Sequence, residues 1–205
     1  APIFILDQLS EPGALGYHTT EHGQPIAYVQ FQGDQTPITI SHEAIEACVD
    51  PYGNRFANTV NLGRFGAVRI LMEAADPPEA FSYSKGGVPV SDFLRPEWYD
   101  QAWQSGTKYT FLNTISKPLT IAKGGYVSFV DRHGTWHQET YWGDSPVFTT
   151  LGRKTEKGMS CREWVDSKTR GRRTPHYRRG SAVSGVAYAV AKAGILNLAR
   201  FLARD

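Results

Sequence analysis

Apolar runs along this chain are short and are broken by turn residues, a pattern that predicts many short strands and few helices. Ile3–Leu6 reads as a first strand, Glu11-Pro12-Gly13 as a turn, and residues 26–31 as a second strand followed by a Gly33-Asp34-Gln35-Thr36-Pro37 loop. Residues 42–49 have helical spacing. Ser41 is placed to cap that helix through its hydroxyl, and Asp50-Pro51-Tyr52-Gly53-Asn54 is placed to stop it. On this helix Ile45, Cys48 and Val49 are expected to face the core, and His42, Glu43 and Glu46 a cleft. An apolar segment at 68–72 leads into Glu73-Ala74-Ala75-Asp76-Pro77-Pro78-Glu79. Residues 82–90 read as a hairpin around Gly86-Gly87, and 124–138 as a hairpin around Asp131-Arg132-His133-Gly134. The stretch from 100 to 150 reads as β-rich. Residues 151–180 read as a basic loop or arm, and 181–205 as a C-terminal helix, its continuity weakened by Gly185 and Gly194. The expected class is α+β, with a body at 1–150 followed by the arm and the helix.

Composition supports a folded body. Of 205 residues, 40% are hydrophobic and 20% charged, enough for a real core, and 20 Gly with 12 Pro fit frequent turns. Two distant cysteines, Cys48 and Cys161, make neither a disulfide framework nor a cysteine-rich metal site, and Cys48 is expected to be buried as a small apolar residue. No signal peptide is read at the start and no apolar run is long enough to span a bilayer, so a cytoplasmic or virion location without membrane contact is expected. Charge is uneven. Residues 1–150 carry 9 Lys or Arg against 16 Asp or Glu, a balance of −7, whereas residues 151–179 carry 10 against 3, a balance of +7. Such a basic segment is drawn to phosphate or to an acidic protein face.

The chemistry-bearing segment is His42-Glu43-Ala44-Ile45-Glu46. Residues four apart on a helix stack on one face, so His42 and Glu46 could grip one metal ion while Glu43 holds and deprotonates a water. Zinc accepts imidazole and carboxylate alike. A third ligand is expected from Glu73 or Asp76, read as sharing a face of a helical turn. Glu73 is favoured as ligand and Asp76 as the group orienting His42 through its other ring nitrogen. The bland alternative is that Glu43 and Glu46 are solvated acids near a helix N-terminus, where negative charge is favourable.

Several blocks occur in order: Ala14-Leu15-Gly16-Tyr17-His18; residues 23–29; Ser41-His42-Glu43-Ala44-Ile45-Glu46 through Asp50-Pro51; residues 73–79; Tyr83; and Val90-Ser91-Asp92-Phe93-Leu94-Arg95-Pro96-Glu97-Trp98-Tyr99. Together they resemble a family of bacterial and phage proteins that look like metallopeptidases with a His-Glu-x-x-Glu helix followed by Asp-Pro. The similarity covers about residues 12–130. It implies a zincin-like core, a mixed sheet with an active-site helix, in which His42 and Glu46 bind metal, Glu43 is the general base, and the Glu73/Asp76 segment completes the site. Where the family has Cys-Asp-Pro this chain has Ala75-Asp76-Pro77, and the region after Leu151 lies outside the similarity. The activity implied is metal-assisted hydrolysis of a peptide or protein substrate, with Tyr17, His18 or Arg69 as the oxyanion donor.

Other histidines are weaker candidates. His133 and His137 are four apart, but on a strand that separates them by about 13 Å. His18 and His22 flank Glu21 in what reads as a loop, with His18 also a candidate to reach the cleft. Arg170, Arg172, Arg173, Arg178 and Arg179 crowd around Tyr177 within residues 168–179, suited to nucleic acid or to an acidic partner subunit. Two rival readings therefore stand beside the peptidase. One is a structural component of a phage particle, a capsid or tail protein or another homo-oligomer with a vestigial site. The other is a nucleic-acid-contacting protein.

Overall fold

The structure is a computed structural model, and it describes residues 1–11, 13–57, 60–102 and 104–169. The basic cluster at Arg170, Arg172, Arg173, Arg178 and Arg179 and the helix expected within 181–205 lie outside the described residues. The described part is α+β, with two helices set against several sheets. None of its helices is long and apolar enough to cross a membrane.

β1 (Ile3–Leu6), β2 (Gly16–Glu21) and β3 (Gln24–Gln30) form a mixed sheet in the order β1-β3-β2, with β1 parallel and β2 antiparallel to β3. The loop expected around His18 and His22 is instead β2 and a tight hairpin turn. His22 and Gly23 both have positive φ, 49° and 78°, as a two-residue turn between twisted strands requires. Strand alternation buries Gly16 and His18 on one face and leaves Tyr17 and Thr19 half-buried on the other.

α1 (Thr36–Val49) packs on this sheet and starts well before His42. Pro37 sits in its first turn, where a missing amide hydrogen leaves no bond unmade, so the residues read as a loop instead launch the helix. Ser41 is therefore not a cap. Its hydroxyl donates to the Ile38 carbonyl (2.8 Å) and accepts the Ser91 amide (2.8 Å), which ties the helix to a neighbouring strand. Asp50 does end the helix, its carboxylate accepting the Asn54 and Arg55 amides at 3.0 and 2.9 Å. Ile45 enters the core and Val49 packs against it, but Cys48 is exposed, turned to the solvent flank of that apolar face.

A second, antiparallel sheet runs in the order β10-β9-β8-β5-β4, formed by β4 (Val60–Asn61), β5 (Ala67–Ile70), β8 (Tyr126–Asp131), β9 (Thr135–Thr140) and β10 (Val147–Arg153). One of its faces joins Ile45, Trp98 and Tyr109 in the main core around Val68, Ile70 and Phe129. The other carries Leu71, Val130 and Trp136 against Trp164 and Val165 of α2 (Cys161–Thr169). A hairpin of β6 (Ser82–Lys85) and β7 (Val88–Ser91) follows the sequence pattern and lies against α1. Between Asp100 and Gly125 the described residues are turns rather than strands, so the β-rich reading applies only from β8 onward. The segment from 151 is likewise not a loop in its described part. It completes β10 and then forms α2, whose Trp164-Val165 pair supplies the apolar anchor.

Candidate metal centre

α1 presents His42, Glu43 and Glu46 on the arc that faces β2 and the loop after β5, and all three are buried. Glu46 is the centre of the arrangement. It is 0% exposed, and neither of its oxygens has a hydrogen-bond partner among the described residues. Burying an unpartnered carboxylate is costly, by several kcal/mol per ion in effective terms, so something positive is required there.

The Glu46 oxygens face different histidines. Oε1 lies 3.3 Å from His42 Nε2, the helical i, i+4 neighbour. Oε2 lies 3.6 Å from His18 Nδ1, delivered by β2. His42 Nε2 also lies 3.2 Å from Asp76 Oδ1. His18 Nε2 lies 3.7 Å from Glu73 Oε2, and His18 Nδ1 lies 3.5 Å from Glu43 Oε2. Two sets of three side chains that could hold a metal ion result, His42–Glu46–Asp76 and His18–Glu46–Glu73. Within each set the ligand atoms lie within 4.8 Å of one another.

The sequence-based assignment of the acids is thus reversed. Asp76, not Glu73, stands with His42 and Glu46, and it meets the same ring nitrogen as Glu46 rather than the opposite one. Glu73 pairs with His18 instead. Nor do the two acids share a helical turn. Residues 73–76 form an irregular bend that continues into the Pro77-Pro78 turn. That bend is held by the Asp76 and Pro77 carbonyls, which accept the amides of Tyr126 (3.2 Å) and Ala122 (3.0 Å). Of the three residues considered as oxyanion donors, only His18 is in the cluster. Tyr17 packs its ring tilted against Tyr28 on the other face of β2, and Arg69 is exposed with its guanidinium over Phe56.

Two groups were not anticipated from the sequence. Arg162 of α2 is fully buried. It donates to Asp76 Oδ2 through Nη1, to the Tyr126 hydroxyl (3.1 Å) through Nη2 and to Asp166 (3.2 Å) through Nε. Its Nη1 also lies 3.9 Å from Glu73 Oε2. Tyr99 buries a hydroxyl with no hydrogen-bond partner among the described residues. Burial and the negative charge of Glu73, Glu46 and Asp76 push its pKa up. Nothing in a basic stretch marks one arginine as the one that turns inward. The sequence signal for His18 was the His22-Gly23 pair, which suits a two-residue hairpin turn and so makes the residues before it a strand.

The electrostatics are those of an acidic cluster in search of cations. Burial opposes charge on His18, but Glu73, Glu43 and Glu46 outweigh it and raise its pKa to about 10. Burial opposes charge on His42 too, and Glu46 and Asp76 again prevail, holding its pKa well above the usual value. Desolvation drives Glu73 well above the carboxylate range, with Arg162 and His18 only partly offsetting it. Protons on the imidazoles supply positive charge, and a metal ion would supply it in their place. One imidazole with two carboxylates offers the nitrogen and oxygen donors that zinc and harder divalent ions accept.

Of the cluster, His18 lines a cavity on the β2 side. That cavity, of about 590 Å³, is lined by Gly16, His18, Thr19, Met159, Glu163 and Asp166 among others. Gly16 is the reason β2 can lie so close to α1. A Cβ there would meet Glu43 Oε1 and Thr39 Cγ2 at 2.7 Å. Against known proteins, the chain matches no family model, no curated sequence and no solved structure, so its own side chains are the ground for assigning chemistry.

Proposed function

We propose that this protein is a metal-dependent hydrolase of peptide bonds with a zincin-like site, in which His42, Glu46 and Asp76 hold a zinc ion and Glu43 is the general base. The observation that carries the reading is Glu46: a fully buried carboxylate with neither oxygen in a hydrogen bond among the described residues, and with a histidine nitrogen and a second carboxylate within ligand range. A scaffold with a lapsed site would gain stability by losing such groups, which favours a working centre over a vestigial one.

The ion, when bound, polarises the scissile carbonyl and acidifies a water. Everything else falls to the chain. His42 and Glu46 hold their spacing through the helix, and Arg162 fixes Asp76 by taking its second oxygen. Glu43, one residue along from His42 and buried beside Gly16, accepts the water's proton and passes it to the leaving amine. Tyr99 is the buried donor suited to the developing oxyanion. A peptide substrate is favoured because β2 is an edge strand of its sheet and lines the cavity. An extended chain could pair with it and run past His18.

The test is metal content and peptide cleavage measured together. The purified chain is expected to carry zinc and to cleave an unstructured protein such as casein, and His42→Ala to lose cleavage and to carry less zinc than wild type. A folded, metal-free wild type that takes up no added zinc would end the proposal.

A further inference from the structure

We infer that the centre is built for two divalent cations, bridged by Glu46, with the second held by His18, Glu46 and Glu73. The inference rests on the metal-binding reading of His42, Glu46 and Asp76 and extends it. A mononuclear site needs one oxygen of Glu46, yet both are buried, outside any hydrogen bond among the described residues, and aimed at different imidazoles, Oε1 at His42 and Oε2 at His18. That division is how a carboxylate spans two ions, and protein two-metal sites place them about 3.5–4 Å apart.

The second set has its own independent marks. His18 is 3% exposed, and neither ring nitrogen makes a hydrogen bond among the described residues. The same holds for both oxygens of Glu73. A histidine kept only to orient a neighbour would bond that neighbour through one nitrogen. Here Nδ1 stands 3.5 and 3.6 Å from Glu43 and Glu46, and Nε2 stands 3.7 Å from Glu73, all outside good hydrogen-bond range. Ligand atoms around a tetrahedral zinc lie about 3.4 Å apart, close to the 3.3 and 3.2 Å from His42 to Glu46 and Asp76 and the 3.6 and 3.7 Å from His18 to Glu46 and Glu73.

Charge points the same way. Glu43, Glu46, Glu73 and Asp76 are four buried carboxylates facing one buried guanidinium, Arg162. With neutral imidazoles, one divalent ion leaves the cluster net negative. Asp166 also draws on that guanidinium, at 3.2 Å, and with its carboxylate counted two ions bring the cluster to neutrality. Two carboxylates in each set also favour ions that accept oxygen readily, manganese as well as zinc.

The experiment strips the full chain with a chelator, reloads it with Mn²⁺ and measures ions per chain by mass spectrometry alongside the electron paramagnetic resonance spectrum. Two ions per wild-type chain with an exchange-coupled spectrum are expected, and one uncoupled ion in His18→Gln and in His42→Gln. One ion in wild type and still one in His18→Gln would overturn the second site and leave the mononuclear reading standing. No ion in either would overturn both. Should a variant fail to fold by circular dichroism, the wild-type spectrum at saturation decides: a coupled pair supports the bridge, and isolated six-line manganese overturns it.

Discussion

Arg162 and Asp76 meet across 86 residues of chain in a buried contact from Nη1 to Oδ2 that joins α2 to the bend after β5. Asp76 thereby divides its oxygens, one to the guanidinium and one to His42. α2 is therefore part of the centre's support rather than an appendage of the fold.

Removing that guanidinium leaves Asp76, and Glu73 beside it, without their buried cation. Breaking such a pair typically costs about 3–5 kcal/mol. Arg162→Met is expected to lower stability by that order in chemical denaturation and to weaken metal binding. Arg162→Lys is expected to restore only part, since one ammonium cannot reach Asp76, Tyr126 and Asp166 together. Unchanged metal affinity in a folded Arg162→Met would contradict the positioning role.

Glu43 is a member of neither candidate ligand set, yet it is buried in the same interior with its Oε2 3.5 Å from His18 Nδ1. Glu43→Gln keeps the size of the side chain and removes its basicity. Cleavage is expected to fall by about 10²–10⁴-fold, the usual contribution of a general base, with metal content unchanged. A variant that loses the metal as well would make Glu43 a ligand instead.

Gly125 packs its α-carbon against the bend that carries Asp76. An added Cβ would meet the Pro77 carbonyl oxygen at 2.0 Å and the Asp76 carbonyl oxygen at 2.9 Å, both backbone atoms that cannot swing aside. Gly125→Ala is expected to cost about 1–3 kcal/mol by overpacking and to loosen the metal centre through Asp76. Gly143→Ala, where nothing lies within 4 Å, is the control and should change neither the melting temperature nor metal affinity.

The site face of α1 was legible because helical spacing alone stacks His42 on Glu46, and β1 and the two later hairpins were legible from turn residues flanking short apolar runs. What stayed hidden has physical causes. Pro37 reads as a breaker, yet it is compatible with a first helical turn, so the start of α1 was misplaced. Charges at Arg162, Glu163, Asp166 and Lys168 masked the Trp164-Val165 anchor of α2. The choice between Asp76 and Glu73 depended on an irregular bend whose path is set by Gly125 and the Tyr126 amide, contacts some fifty residues away in sequence.

Glu139 offers a pH test away from the centre. It sits on β9 between Val127 and Phe148 in the ladder, 9% exposed, and desolvation raises its pKa to about 7. In the unfolded chain a glutamate titrates near about 4.3. Between those values the folded state holds the proton and the unfolded state does not, so folding loses ground as pH rises through the window and levels off above about 7. Glu139→Gln removes the titration while keeping the shape. The stability of wild type minus that of Glu139→Gln, from urea melts at each pH, is expected to decline between about pH 4.5 and 7 and then to stay level. Because the metal centre is common to both chains, its own pH dependence cancels in the difference. A difference that is flat across the window would mean that the carboxylate reaches water and is not desolvated in the ladder.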